Sequence, residues 1–135
     1  MSPRRDGGDR RRDTDGTAHD RLVDALRRAA LDADRGSVRA LLAPGVTMWV
    51  DAAGSTDATP GVVEGADETA RALCRVLRPG PGVEVVARSV NGVAGLVVRQ
   101  GRVVTGVVSL SARSGQVAKV WVVLSPAKLQ TWNRA

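Results

Sequence analysis

The sequence predicts an α+β domain in which three N-terminal helices pack on one face of a curved antiparallel sheet. Apolar residues recur at helical spacing in segments between residues 18 and 77, whereas residues 83–124 form four valine-rich runs of strand length. Asn91-Gly92, Gln100-Gly101 and Ser114-Gly115 separate these runs, and Asn-Gly is a strong hairpin signal. Helices followed by a series of hairpins favour an α+β fold.

Local signals give the order of the elements. The predicted order is helix 18–34, a short helix from Ser37, strand 46–51, a very short strand 62–64, helix 66–77, four long strands and a last helical turn in the tail. Thr17 or Asp15 is the expected N-cap of the first helix and Ser37 that of the second. Pro44-Gly45 is expected to end the second helix, and Arg78-Pro79-Gly80 the third.

Length and composition predict one domain. Residues 1–16 mix Arg, Asp and Gly without periodicity and are expected to be a disordered lead-in, so the single domain spans residues 17–135. No apolar segment follows the basic N-terminus, and the apolar runs are too short to cross a membrane. The one cysteine, Cys74, provides neither an internal disulfide nor a metal framework. A cytoplasmic protein without membrane contact is therefore expected.

The net charge of +6 is unevenly distributed. All fourteen carboxylates lie in residues 1–84, whereas residues 85–135 contain seven basic residues and no acid. This asymmetry fits an acidic ligand or partner. Direct binding of nucleic acid is not expected, because the seven basic residues are scattered and the chain has no Phe or Tyr for stacking on bases.

Three segments carry a resemblance to a known family. VTMWVDAAG (46–54), VNGVAGLVV (90–98) and VWVVLSPAKL (120–129), together with the element order, resemble the SnoaL-like, or nuclear transport factor 2-like, superfamily. They look most like the SnoaL-like C-terminal extension of extracytoplasmic-function sigma factors. The family's Asp-Gly-Gly-Gly is Asp51-Ala52-Ala53-Gly54 here, and its Asn-Pro-Asp-Lys-Leu is Ser125-Pro126-Ala127-Lys128-Leu129. The chain thus resembles a stand-alone copy of that extension.

The resemblance implies a cone-shaped sheet that wraps around the first helix and leaves a cavity, and a homodimer formed through the sheet. Members include ketosteroid isomerase, polyketide cyclases and dehydratases, so the fold alone implies no single reaction. The isomerase mechanism needs a Tyr on the first helix, where this chain has Leu26, and an Asp on a late strand, which this chain lacks. The cyclase His/Asp pair is also missing, since the one histidine, His19, is expected to be a solvated residue at the helix start.

Asp51 is the candidate catalytic residue. It ends the first predicted strand, about where ketosteroid isomerase carries its general base, and a carboxylate in an apolar cavity has a raised pKa that suits proton transfer. Two alternatives remain: Asp51 hydrogen-bonds its own loop, or the strand register turns it to the opposite face.

The candidate ligand-binding residues are two tryptophans and a few polar side chains. Trp49 and Trp121 are expected to line the cavity, unless they are ordinary core residues. Leu26 is expected beside them. Arg88, Asn91 and Lys119 are expected to orient an anionic or carbonyl-bearing ligand, unless they are solvated on the convex face. No cofactor and no metal are predicted.

The sequence therefore predicts a cofactor-independent enzyme of natural-product biosynthesis. It would be a cyclase, isomerase or dehydratase acting on a hydrophobic polyketide- or terpenoid-like substrate, with Asp51 as the acid–base. The alternative is a non-catalytic ligand-binding or transcription-regulatory module derived from a sigma-factor extension.

Overall fold

In the part of the chain that the structure describes, four helices and a six-stranded sheet form the α+β fold that the sequence predicts. The computed structural model describes the backbone of residues 3–54 and 61–133, and within these ranges the side chains from residue 16 onward. The elements are α1 (Pro3–Leu31), α2 (Arg35–Leu41), β1 (Leu42–Asp51), β2 (Gly61–Glu64), α3 (Ala66–Val76), β3 (Val83–Val90), β4 (Val93–Gln100), β5 (Val103–Arg113), β6 (Gln116–Val123) and α4 (Pro126–Asn133). No helix among the described residues has the length and apolar character that a membrane crossing requires.

The first two helices differ from their predicted bounds. The helical span of α1 begins at Pro3, well before Ala18, and it includes most of the segment predicted as a disordered lead-in. The side chains of that segment lie outside the described residues, so the division of the chain at residue 16 stays a prediction. Asp34, and not Ser37, is the N-cap of α2, because its carboxylate accepts a hydrogen bond from the Ser37 backbone N–H at 3.1 Å.

The sheet has the strand order β2-β1-β6-β5-β4-β3. Neighbouring strands are antiparallel except β1 and β6, which are parallel and pair Trp49 with Trp121. This pair departs from the fully antiparallel sheet that was expected. A parallel pair needs a long crossover connection, and here the crossover contains α3 and the β3–β5 meander. Pro44-Gly45 lies inside β1, and does not end α2 as predicted.

The main hydrophobic core lies between the helices and one face of the sheet, which we call the inner face. Leu26 of α1, Leu73 of α3, Met48, Leu96 and Val120 are at most 1% exposed and belong to this core. The opposite, outer face carries a smaller cluster in which α4 contributes Leu129. The sheet therefore separates two apolar layers of unequal size.

The hairpin connecting β3 and β4 has the geometry that its sequence predicts. Asn91 and Gly92 have φ angles of 53° and 85°, as a tight two-residue turn with two left-handed positions requires. Ser114 and Gly115 repeat this pattern between β5 and β6, with φ angles of 53° and 78°. These turns set the register of the meander.

Candidate functional site

Alternation along β1 and β6 places two tryptophans on the outer face. Met48 and Val120 point to the core, so their neighbours Trp49 and Trp121 point the other way. The two indole rings are stacked, with centroids 5.6 Å apart and planes at 14°. They remain 36% and 40% exposed, and thus form an apolar surface outside the core.

An open cleft of about 660 Å³ lies on this outer face, between the β3–β4 hairpin, strands β5 and β6, and helix α4. Its lining is mainly apolar with a few polar groups: Val90, Asn91, Val93, Val107, Ser109, Leu110, Ser111, Trp121, Val123, Lys128 and Trp132. Trp121 contributes to the sheet side, whereas Lys128 and Trp132 come from α4. This cleft has the size and character of a small-molecule site.

Helix α4 is held over the outer face at two points. Leu129 is 2% exposed and packs in the outer cluster with Val104 and Val107. Asn133 makes two hydrogen bonds to the backbone of Val104: Oδ1 accepts from N–H at 2.7 Å, and Nδ2 donates to C=O at 3.2 Å. Strand β6 pairs with β5 only from Val107 onward, so β6 does not reach Val104. The Asn133 carboxamide makes the backbone hydrogen bonds there instead.

Asp51 lies at the end of β1 and is ion-paired with α4. Its Oδ2 accepts a hydrogen bond from the Lys128 ammonium, and its Oδ1 accepts one from the Ala53 backbone N–H at 3.4 Å. The Lys128 hydrogen bond, followed by that from Ala53, holds the pKa of Asp51 below its ordinary value of 3.8. The catalytic hypothesis assumed the opposite shift, because it placed Asp51 in an apolar cavity without a cationic partner.

Leu26 does not lie with the predicted tryptophans. Its side chain is fully buried in the core between α1 and the inner face, whereas Trp49 and Trp121 are on the outer face. The sheet separates them because successive strand residues point to opposite sides. The space around Leu26, Leu96 and Val108 is filled, since none of these residues has surface that a water molecule can reach.

The three polar residues that were predicted to bind a ligand have different surroundings. Asn91 lines the cleft at the hairpin tip. Arg88 is exposed on β3, where its guanidinium donates to the Ala87 carbonyl at 3.0 Å. Lys119 is exposed on β6, paired in register with Thr47 and Ser111, and is not among the residues that line the cleft.

Three polar residues that line the cleft have no binding role predicted from the sequence: Lys128, Ser109 and Ser111. The two serines share strand parity with Val107, and this alternation was visible in the sequence. Lys128 lines the cleft only because α4 folds back across the sheet, and no local pattern predicts such a return.

His19 is not the solvated residue that was expected. It is half-buried, and its Nε2 donates a hydrogen bond to the Ala94 carbonyl on β4 at 2.9 Å. The contact ties α1 to the β3–β4 hairpin, so the histidine has a structural role. Within the described part of the chain, no three His, Cys, Asp or Glu side chains lie close enough together to hold a metal ion.

Comparison with known proteins identifies the fold. No protein-family model matches the chain, and no curated protein matches it. Among solved structures, the chain is similar to the extracytoplasmic function sigma factor SigJ of Mycobacterium tuberculosis, with 26% identity and a TM-score of 0.59. The match covers 82% of this chain but 43% of SigJ, so this chain spans less than half of that protein.

Two further structures share the fold at lower identity. A SnoaL-like protein of unknown function from Burkholderia thailandensis is 13% identical, with a TM-score of 0.56 over 78% of this chain and 92% of that one. An LEH-like epoxide hydrolase of M. tuberculosis is 16% identical, with a TM-score of 0.54 over 86% of this chain and 89% of the hydrolase. The resemblance to SnoaL-like, nuclear transport factor 2-like proteins is thereby confirmed.

Proposed function

We propose that this protein, which has a SnoaL-like fold, binds a hydrophobic small molecule with an anionic or carbonyl group in the cleft between α4 and the outer face. The composition of the cleft lining is the observation that carries the proposal. Valines and two tryptophans form apolar walls, and Asn91, Ser109, Ser111 and Lys128 are the polar groups among them. Such a surface binds an apolar body and orients one polar end.

Lys128 provides the charge that would select an anionic end group. Its side chain is 65% exposed and it lines the cleft while pairing with Asp51. A ligand carboxylate near this ammonium would form a charge-assisted hydrogen bond. The serine hydroxyls of β5 would serve a carbonyl or hydroxyl group in the same way.

A binding role is favoured over acid–base catalysis. A carboxylate with a lowered pKa is a weaker base, and Asp51 is already engaged with Lys128. The described lining residues include no carboxylate, imidazole or thiol. The likeness to part of SigJ supports a ligand-responsive regulatory form of this binding role, because that protein is a sigma factor.

A second candidate function is the cyclase, isomerase or dehydratase with Asp51 as acid–base and a polyketide- or terpenoid-like substrate. One observation favours this enzymatic role: Lys128 lines the cleft and is ion-paired with Asp51, so the Asp51 carboxylate is next to a cleft-lining side chain. The epoxide hydrolase of the same fold also supports it. Turnover of such a substrate that survives Asp51→Asn in a folded protein would exclude this role.

The binding proposal is tested with dodecanoate, whose chain and carboxylate match the cleft. Binding is followed through the tryptophan fluorescence of the intact protein, because two of its three tryptophans, Trp121 and Trp132, line the cleft. Lys128→Met removes the ammonium but keeps an apolar stem, and we expect it to weaken dodecanoate binding about tenfold, the effect of losing one charge-assisted hydrogen bond. Binding of 1-dodecanol, which has no charge, should change little.

Lys119→Met is the matched control, because Lys119 is an exposed lysine on β6 that does not line the cleft. Equal weakening by Lys119→Met and Lys128→Met would contradict a specific role of Lys128. Absence of dodecanoate and dodecanol binding in the wild-type protein would contradict the proposed site itself.

The outer face also supports the proposed homodimer. Trp49 pairs in register with Val62 of β2 on one side and Trp121 of β6 on the other. Val62 is 58% exposed, so these three residues form an apolar row on the sheet. A second copy that packs on this row would remove it from water. Trp121 also lines the cleft, so the proposed dimer interface and the cleft would adjoin each other.

A further inference from the structure

We propose that a second site, on the helical side of the molecule, binds a small molecule that carries a phosphate or pyrophosphate group. A cleft of about 490 Å³ lies between the α1–α2 turn and α3. Four of its seven lining residues are arginines, and the others are small or apolar: Ala33, Arg35, Arg71, Cys74, Arg75, Arg78 and Pro79. This second cleft, the arginine cleft, and the cleft between α4 and the outer face lie on opposite sides of the sheet.

Two of the arginines share one face of α3, and a third follows the end of the helix. Arg71 and Arg75 are four residues apart in α3, and Arg78 comes directly after its C-cap Leu77 and lines the same cleft. Arg35, the first residue of α2, joins them from the other wall. The turn before it has Ala33 in the left-handed region, with φ of 54°, which reverses the chain between α1 and α2.

Two carboxylates near the arginine cleft offset part of this positive charge, but neither forms a close ion pair with the arginines. Asp34 caps α2 by accepting hydrogen bonds from the backbone N–H and hydroxyl of Ser37, at 3.1 and 2.6 Å, and these bonds lower its pKa so that it stays ionised. Glu68 is 3.9 Å from Arg71, at the limit of an ion pair. Within the described residues, Arg35, Arg75 and Arg78 have no carboxylate within 4.0 Å.

Phosphate is the anion that best suits several converging guanidinium groups. Each guanidinium presents a planar fork of N–H donors that matches two phosphate oxygens, and it stays charged at every physiological pH. Burial raises the pKa of the Cys74 thiol, so Cys74 adds no opposing charge. Together with Ala33 and Pro79, the neutral thiol offers a small apolar surface for the organic part of the ligand.

The shape favours a small molecule over a nucleic-acid strand. The cleft is an open depression of ligand size, whereas a strand-binding surface uses aromatic side chains on which bases stack. The described lining residues of this cleft include no aromatic side chain. The expected ligand is therefore a small phosphorylated molecule, of which inorganic pyrophosphate is the simplest representative.

The test is calorimetric titration of the intact protein with inorganic pyrophosphate at low ionic strength. We expect the double variant Arg71→Ala/Arg75→Ala to bind pyrophosphate about a hundredfold more weakly, because each of the two lost charge-assisted hydrogen bonds costs about a factor of ten. Arg75→Lys keeps the charge but loses the fork, and should weaken binding as well. Both arginines are exposed and helical, so alanine is compatible with folding.

The matched control is Arg21→Ala/Arg113→Ala, which removes the same charge at exposed positions on α1 and β5. It should bind pyrophosphate like the wild type. Equal weakening in both double variants would overturn the proposal, since the effect would then be one of net charge. The phosphate-site proposal is also overturned if the wild type does not bind pyrophosphate. This holds whether or not a single-stranded oligonucleotide binds at these arginines.

Discussion

Asp51 shows how a partner distant in sequence determines the chemistry of a single carboxylate. Lys128, 77 residues later, donates to it across the rim of the outer face. A cation at hydrogen-bonding distance favours the ionised carboxylate, so the pKa of Asp51 falls. The Ala53 backbone hydrogen bond lowers the pKa of Asp51 in the same direction, and both effects outweigh the opposing effect of burial.

The Asp51–Lys128 pair predicts a specific pH dependence of stability. Because the pKa of Asp51 is lowered by folding, its stabilising effect is present above the unfolded value of 3.8 and is lost as the pH falls through the folded value. Asp51→Asn should therefore lower the melting temperature slightly above about pH 5, and the difference from wild type should vanish in stronger acid. Thermal denaturation followed by circular dichroism at several pH values measures this.

Lys128→Met serves as the second arm of that measurement, since it removes the other partner of the pair. Its melting-temperature difference should follow the same pH course. Asp24 and Asp34 also have pKa values lowered by hydrogen bonds, from Arg27 and Ser37 respectively, and they contribute equally to all three proteins. A difference that stays constant from neutral pH into strong acid would contradict the assignment to Asp51.

At the scale of elements, two glycines of the VNGVAGLVV segment (90–98) have different roles in the β3–β4 hairpin. Gly92 is required by the turn, where φ is positive. Gly95 is required by packing, because a Cβ atom there would lie 2.7 Å from the Val108 carbonyl oxygen and 2.7 Å from a Val90 methyl carbon. The hairpin thus depends on one glycine for its conformation and on another for its contact with β5.

Gly95→Ala should destabilise the protein by roughly 1–3 kcal/mol, the usual effect of forcing an extra carbon into a packed region. Urea denaturation monitored by tryptophan fluorescence gives the free energy of unfolding. Gly45→Ala is the control, because a Cβ atom at Gly45 meets nothing within 4 Å. Similar stabilities for Gly95→Ala and Gly45→Ala would show that the strands adjust to the added methyl group.

At the scale of the whole molecule, the sheet has a helix-covered inner face and an outer face that α4 covers only in part. Leu26, Leu96 and Met48 seal the inner layer. The outer layer leaves Trp49 and Trp121 in contact with water. An apolar surface of this kind is the part of the molecule most suited to binding a ligand or a second copy.

Trp49→Glu is expected to shift the protein from dimer to monomer, because it places a charge in the apolar row proposed as the dimer interface. Sedimentation velocity across a concentration series measures the change. Val103→Glu adds the same charge at an exposed position at the start of β5, and should leave the dimer intact. A monomeric wild type at the highest concentration would contradict the proposed homodimer.

Much of the fold was predictable from local sequence. The hairpin dipeptides and valine-rich runs located four strands, and Asn91-Gly92 predicted its own turn geometry. The candidate site was predicted less well. Asn91 and Trp121 line the outer cleft, whereas Leu26 belongs to the core and Lys128 was missed. Long-range packing positions these side chains, and single-sequence patterns do not encode it directly.

The sequence by itself determined the four strands of the meander, the hairpin turns between them and the α+β class, because these depend on the conformational preferences of neighbouring residues. Only the tertiary structure decided which sheet face became the core. Val97-Val98, Val107-Val108 and Val122-Val123 put an apolar side chain on both faces of their strands, so alternation does not distinguish inside from outside. The helices α1–α3 cover one of two apolar faces, and the cleft, Asp51 and the tryptophans belong to the other.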